Sequence, residues 1–219
     1  MGASERSRSG RRRWPRRLEM RTILERLLEL PAVYRMWQAT HNREKIDFVA
    51  SRIRPRPGLR VLELGCGPAI NAHLFDGCAY TGIDMNPNYI AYARRQFPQQ
   101  RFICEDLCRY DFGNEEYDWV LINSFLHHVD DRAVDAILRV VAGIRAARAL
   151  VVELVLPAQP GVAWLLARLD RGRFARTLEE WRRLIPPELR AAEEVDIKIR
   201  RARVLLYNLV GYVLERRAV

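Results

Sequence analysis

The chain has 219 residues, 49% of them apolar and 29% charged, with 37 Lys plus Arg against 27 Asp plus Glu. This composition excludes a fully disordered polypeptide, and at this length a single domain buries roughly 70% of the surface its unfolded chain exposes without disulfide or zinc staples. The formal charge of +10 invites a nucleic-acid partner, but it is concentrated at the front: residues 1–21 hold eight Arg against two Glu, and only two of the 37 basic residues are Lys.

Residues 1–17 lack apolar periodicity and their like charges repel, so they read as a disordered basic tail. An RNA-binding arm or a tether to an anionic surface is the alternative to a solvated tail. Residues 18–57 read as a helical cap. Ile23, Leu27, Leu30, Tyr34 and Trp37 recur at helical spacing around Pro31, and Ile46, Val49, Ala50 and Ile53 share a face of a second helix that Pro55, Pro57 and Gly58 end. No targeting or spanning segment is expected. Leu18–Leu30 is broken by Glu19, Arg21, Glu25, Arg26 and Glu29, no apolar run reaches ~18 residues, and Met-Gly lacks the Ser or Thr at position 6 of a myristoylation pattern. The expected location is cytoplasmic.

From residue 58 to 219 the rhythm changes. Strands are predicted over 60–64, 79–83, 101–104, 118–122 and 149–156, alternating with helices over 68–75, 87–97 and 131–144. Near-continuously apolar strands alternating with helices specify an α/β fold with a doubly wound, mainly parallel sheet covered on both faces. Helices over 160–170 and 177–185 follow, the second opened by the capping box Thr177-Leu-Glu-Glu180. Two β-rich runs, 193–200 and 203–214, then complete seven strands as an antiparallel pair.

The segment that carries chemistry is Val61-Leu-Glu-Leu-Gly-Cys-Gly-Pro-Ala69, a strand running into a Gly-rich turn. Gly permits close backbone approach, and the N-terminus of the helix expected after the turn offers free N–H groups. A dinucleotide site would need a third Gly five residues after Gly65, where Ile70 stands. It would also place a pyrophosphate beside Glu63. Two like charges ~4 Å apart repel by about 4 kcal/mol at an effective dielectric near 20, so the ligand is expected to be cationic there.

This segment resembles the first signature of class I S-adenosylmethionine-dependent methyltransferases of the bacterial small-molecule type, and the resemblance runs from about residue 58 to 156. It implies a Rossmann-like fold and S-adenosylmethionine as cofactor, held by Glu63, Gly65, Cys66 and Gly67. Asp84, ending the second strand, would accept hydrogen bonds from both ribose hydroxyls, and Met85 would pack on the adenine. Asp106 would receive the adenine amino group, Leu107 would supply a backbone contact, and Asn123 would lie beside the methionine part. One acidic residue at a strand end is ordinarily a cap or a surface charge; three at successive strand ends around a Gly turn argue for a ligand. Ala69 departs from the family's third Gly, and Gly143-Ile-Arg-Ala-Ala-Arg148 from its Pro-Gly-Gly turn.

The Ser124-Phe-Leu-His-His128 stretch offers His127 or His128 as a general base, the alternative being a His that only orders the loop. Glu153 is a second candidate base, because a carboxylate in so apolar a strand must face something polar. Tyr34, Trp37, Gln38 and His41 are placed on a lid over the substrate, or in ordinary core packing. Arg171 and Arg176 are placed on an anionic substrate group, or on solvated surface. Cys66, Cys78, Cys104 and Cys108 form no Cys-x-x-Cys, so reduced thiols and no bound metal are expected.

The leading functional expectation is methyl transfer to O, N or C of a small molecule, giving S-adenosylhomocysteine. The alternatives are an RNA methyltransferase guided by the basic tail, which Asn-Ser-Phe-Leu after strand four disfavours against the Asn-Pro-Pro-Tyr type, and a non-methylating cyclase, isomerase or scaffold on the same fold.

Overall fold

The computed structural model describes residues 43–170 and 173–217. The expected positions Tyr34, Trp37, Gln38, His41 and Arg171, and the first predicted cap helix, lie outside them. In chain order the elements are α1 (Arg43–Ile53), β1 (Arg60–Leu64), a 3₁₀ turn (Ala72–Phe75), β2 (Ala79–Asp84), α2 (Pro87–Gln96), β3 (Arg101–Cys104) and β4 (Glu116–Asn123). A second 3₁₀ turn (Leu126–His128), α3 (Asp131–Gly143), β5 (Arg145–Val155), α4 (Val162–Leu169), α5 (Leu178–Leu184), β6 (Leu189–Arg201) and β7 (Val204–Arg216) follow.

The seven strands form one sheet in the order β3-β2-β1-β4-β5-β7-β6. The first five are parallel, and β7 runs antiparallel to both β5 and β6. The strand order reverses at β1, with β2 on one side and β4 on the other. That is where an open parallel sheet leaves a crevice at its carboxyl edge.

Side-chain alternation fills both faces. Leu62, Leu64, Val120, Ile122 and Val151 point into a core closed by Val134, Ile137, Leu138 and Val141 of α3 and by Trp181 of α5. Val61, Leu121, Leu150 and Val152 point the other way, against Val49 and Ile53 of α1, Ile90 and Ala93 of α2 and Ala167 of α4. The helix starts are chemically marked. Asn86 caps α2 ahead of Pro87, Asp130 accepts from Ala133 N, and Thr177 with Glu180 completes the expected capping box on α5.

The structure corrects the sequence reading in three places. The helix predicted over 68–75 is a turn followed by the 3₁₀ segment Ala72–Phe75, because Gly65, Gly67 and Ala69 all take left-handed φ and the chain cannot enter an α-helix until the turn is complete. The strands extend beyond their apolar runs: β5 starts at Arg145 and β6 at Leu189, since ladder pairing continues through residues whose side chains face solvent. α1, read as part of a separate cap, packs its Val49 and Ile53 into the same core as the sheet. The β6–β7 hairpin turns on Ala202 and Arg203, both left-handed, as a tight two-residue turn requires.

Candidate active site

A cleft of about 230 Å³ opens at the carboxyl edge where the strand order reverses. Glu63, Gly65, Cys66, Gly67, Asp84, Asn123 and His128 of the sequence-predicted set line it, together with Lys45, Ile70, Asn71, Tyr89, Ser124 and Phe125.

The turn is built by close approach. Gly65 N and Cys66 N both donate to Ile83 O, tying the loop to the end of β2. A Cβ on Gly65 would stand 2.5 Å from Cγ of Phe125, whose ring covers it, and Gly65 holds φ +69. Gly65→Ala is therefore expected to incur about 1–2 kcal/mol of left-handed strain and to push Phe125 aside. Calorimetry should show adenosyl-ligand affinity falling at least tenfold with only a modest drop in Tm.

Asp84 sits where β2 ends. Its Oδ2 accepts from Gly67 N and its Oδ1 from Asn86 N, both at 2.8 Å. Burial holds its carboxyl above the usual range, opposed by these two N–H groups. A carboxylate has about four lone-pair sites, so two remain to face the cleft, the number a vicinal diol requires. Met85 beside it is 74% exposed and presents an apolar surface next to the cleft without lining it.

Asp106 is not among the residues that line the cleft. It follows Cys104, the register partner of Asp84, by two residues, but its Oδ1 accepts from Cys108 N and its Oδ2 lies 3.6 Å from Arg109 Nε. It closes its own loop and does not line the cleft, and Leu107 is buried in the core beneath it. Of Glu63, Asp84 and Asp106, the first two line the cleft, and Asp106 follows Glu105, whose N–H donates to Asp84 O.

Glu63 differs from expectation in charge. It is buried, its Oε1 accepts from Asn71 Nδ2 at 2.6 Å and its Oε2 from the Tyr80 hydroxyl. Burial pushes its carboxyl up to about 7, with Tyr80 and Asn71 pulling the other way. The full negative charge assumed in the sequence argument is therefore only partly present at neutral pH. From Glu63 a hydrogen-bonded chain runs outward. Asn123 Nδ2 donates to Asn71 Oδ1, Ser124 Oγ to Asn123 Oδ1, and Lys45 Nζ to Ser124 Oγ at 3.3 Å. Ser124 takes φ +56, a left-handed turn that carries the chain off β4.

Two of the candidate bases are occupied. Glu153 is fully buried; Oε1 accepts from Phe125 N and Leu126 N, and Oε2 meets His127 Nδ1 at 2.7 Å. His127 Nε2 lies 3.3 Å from Asp170 Oδ1. Burial alone would pull the His127 ring down, but Glu153 and Asp170 outweigh it and push it up to about 9, so the ring is a cation at neutral pH and not a base. His127 and Glu153 hold the loop after β4; of the three catalytic candidates only His128 lines the cleft. His127, His128 and Asp170 are the grouping with metal-like spacing among the described residues, their ligand atoms within 4.8 Å of one another. Both nitrogens of His127 are already engaged by carboxylates, so the cluster acts as a hydrogen-bonded clamp.

Arg176 is also corrected. Its side chain is buried, with Nε and Nη2 on Asp131, Nη1 on Leu126 O and Phe174 O, and Nη2 on Val129 O. It fastens the β4–α3 loop and does not reach the cleft.

Lys45, Asn71 and Ser124 were not singled out from the sequence. Lys45 could have been: it precedes Val49 and Ile53 by four and eight residues, on the stripe that α1 buries.

The geometry now bears comparison with known proteins. Residues 61–145 match the family described as "Methyltransferase domain". That stretch resembles a methyltransferase domain. Over 105 residues, 46% of this chain and 40% of the relative, the chain is 30% identical to a trans-aconitate 2-methyltransferase from Variovorax paradoxus (strain S110). Over 83 residues, 37% of this chain and 33% of the relative, it is 31% identical to a malonyl-[acyl-carrier protein] O-methyltransferase from Enterobacter lignolyticus (strain SCF1). The matches therefore span less than half the length of either relative. Among solved structures, magnesium protoporphyrin IX methyltransferase from Synechocystis PCC 6803 with bound SAH superposes with a TM-score of 0.67 at 17% identity, covering 90% of this chain and 99% of that one. This likeness shows a shared fold. The fold places the Gly turn and Asp84 on the switch-point edge. No helix among the described residues is long and apolar enough to cross a membrane.

Proposed function

We propose that the chain transfers a methyl group from S-adenosylmethionine to a nucleophile on a small molecule, releasing S-adenosylhomocysteine. One observation carries the reading: Asp84, with acceptor capacity to spare, stands against Gly67 N–H at the switch-point cleft of a methyltransferase domain. The donor set fits the cofactor. Asp84 would take the ribose hydroxyls, the Gly65–Gly67 backbone would admit close contact, and Asn71 and Asn123 would offer amides to the amino-acid part.

When bound, the cofactor supplies an activated methyl group on a sulfonium. The chain's own residues position and desolvate. Phe125 and Ile70 line the cleft with apolar surface, Asp84 orients, and the His127–Glu153 clamp keeps Ser124, Phe125 and His128 in place. Calorimetry of the full chain with S-adenosylmethionine and S-adenosylhomocysteine tests the reading. Binding of both, with no binding of NAD, is expected; no heat from either adenosyl ligand overturns it.

A further inference from the structure

The methyl-transfer reading leaves the acceptor open, and the cleft holds one group that reading does not use. Lys45 is buried, lines the cleft, and reaches Ser124 Oγ at 3.3 Å. Among the described residues that line it, Lys45 is the sole Lys or Arg. We propose that Lys45 makes this cleft a carboxylate site, and that the methyl acceptor is a small carboxylic acid methylated on a carboxylate oxygen. The proposal rests on the methyl-transfer reading above.

Two physical arguments favour an acid over an alcohol or amine. The first is the state of the buried bases. An alcohol must lose a proton as it reacts, and an ammonium before it. Yet Glu153 is held by two backbone N–H groups and His127, and His127 is a cation between Glu153 and Asp170. His128 lines the cleft, its ring 4.2 Å, centroid to centroid, from that of His127, with an Asp170 carboxylate oxygen within 4.8 Å of a nitrogen of each. A carboxylic acid arrives ionised at neutral pH and needs no base.

The second argument is the cation. An ammonium that lines a cleft forms charge-assisted hydrogen bonds with an anionic ligand. Burial pulls the Lys45 ammonium down to about 8, while Asp170 and Glu153 pull it back up, so it stays charged at neutral pH. Both of those carboxylates also contact His127. The step balances without added reactants. One carboxylate oxygen bonds to the methyl carbon as the carbon–sulfur bond breaks with its electron pair onto sulfur, leaving a neutral ester and a thioether, with no proton moved.

The amino-acid tail of the cofactor also ends in a carboxylate, and the composition of the chain allows the two sources to be told apart. Lys45 and Lys198 are its only lysines. Lysine labelled at Cε and Nζ therefore gives two side-chain signals, with Lys198, half-exposed beside Asp196, as internal reference. The full chain is examined with S-adenosylhomocysteine, with 5′-methylthioadenosine, which lacks the tail, and then with C3 to C8 dicarboxylates and their diamides added over saturating S-adenosylhomocysteine.

The expected result is that a dicarboxylate, and not its diamide, shifts the Lys45 signal and raises its titration midpoint by about one unit or more, while Lys198 stays still. In Lys45→Met, calorimetric dicarboxylate affinity should fall at least tenfold and in Lys45→Arg at most a few-fold. A Lys45 shift with S-adenosylhomocysteine, absent with 5′-methylthioadenosine and unchanged by every acid, assigns the ammonium to the cofactor tail and overturns the acid acceptor. Calorimetric binding of S-adenosylhomocysteine with no Lys45 shift in any arm overturns the carboxylate site and leaves methyl transfer standing. Failure of S-adenosylhomocysteine to bind overturns the parent reading and the acceptor with it.

Discussion

Asp84→Ala is expected to reduce affinity for S-adenosylhomocysteine by at least 100-fold while leaving the fold intact. A hydrogen bond to a charged acceptor contributes about 1.5–3 kcal/mol, and two such bonds to a diol amount to roughly two orders of magnitude or more. The carboxylate also accepts from Gly67 N and Asn86 N. Its removal leaves two N–H groups at a cleft that water enters, so they lose a charged acceptor without being stranded. Tm should fall by only a few degrees. Asp84→Asn separates the two roles. The amide keeps one acceptor oxygen but turns an NH₂ toward either Gly67 N–H or Asn86 N–H, so affinity should fall nearly as far as in the Ala variant. A calorimetric loss below threefold in both variants would show that Asp84 is a loop residue and not a ligand contact. The same measurement on Asp106→Ala should give a smaller loss, because that side chain already closes its own turn on Cys108 N and stands outside the cleft lining.

The contrast between Asp84 and Asp106 shows what was legible in the sequence. Parallel strands buried on both faces announce themselves as short apolar runs, so β1 to β5 could be placed to within a few residues, and the Gly turn located the carboxyl edge where a ligand would lie. Acidic residues at strand ends could be counted, but which of them face the cleft depends on loop conformation. Asp84 and Asp106 both accept from the backbone N–H two residues on, but only Asp84 also accepts from Gly67 N of the Gly turn and lines the cleft. The other misassignments share a cause. Glu153 and His127 are 26 residues apart, and Arg176 reaches Leu126 O across 50; polar residues in apolar surroundings announce that partners exist without saying which. Glu153 faces something polar, as its strand demanded, but the partner is the loop that carries the histidines. Lys45 was hidden for the opposite reason. Its helical spacing to Val49 and Ile53 put it on the stripe that α1 buries, but a lysine on an amphipathic helix is ordinarily solvated.

Glu153→Ala is expected to be the most destabilising single change in the site. It removes one partner of a buried ion pair and strands three donors: Phe125 N, Leu126 N and the His127 ring. Removing one member of such a pair typically costs about 3–5 kcal/mol, which for a chain of this size lowers Tm by roughly 6–20 °C. The loss also carries a pH signature. His127 titrates at about 9 in the folded protein, above the ordinary value of 6.5, so the pair's contribution is complete below pH 6.5 and declines as pH rises through 9. Glu153 itself is held below the usual carboxylate range. Burial pushes it up, but His127 and the two backbone N–H groups more than offset that, so its share is lost as pH falls. Thermal melts of the parent chain should therefore show a declining limb between pH 6.5 and 9 that is shallower in Glu153→Ala and flatter still in Glu153→Gln. The Gln variant should keep more stability than the Ala variant, since its oxygen can still accept from Phe125 N and Leu126 N. Because the same loop presents Ser124, Phe125 and His128 to the cleft, both variants should also weaken S-adenosylhomocysteine binding below their melting range. A Glu153→Ala protein that melts within 2 °C of the parent, with an unchanged alkaline limb, would mean that the clamp does not hold the loop and that the cleft owes its shape to packing around Arg176 instead.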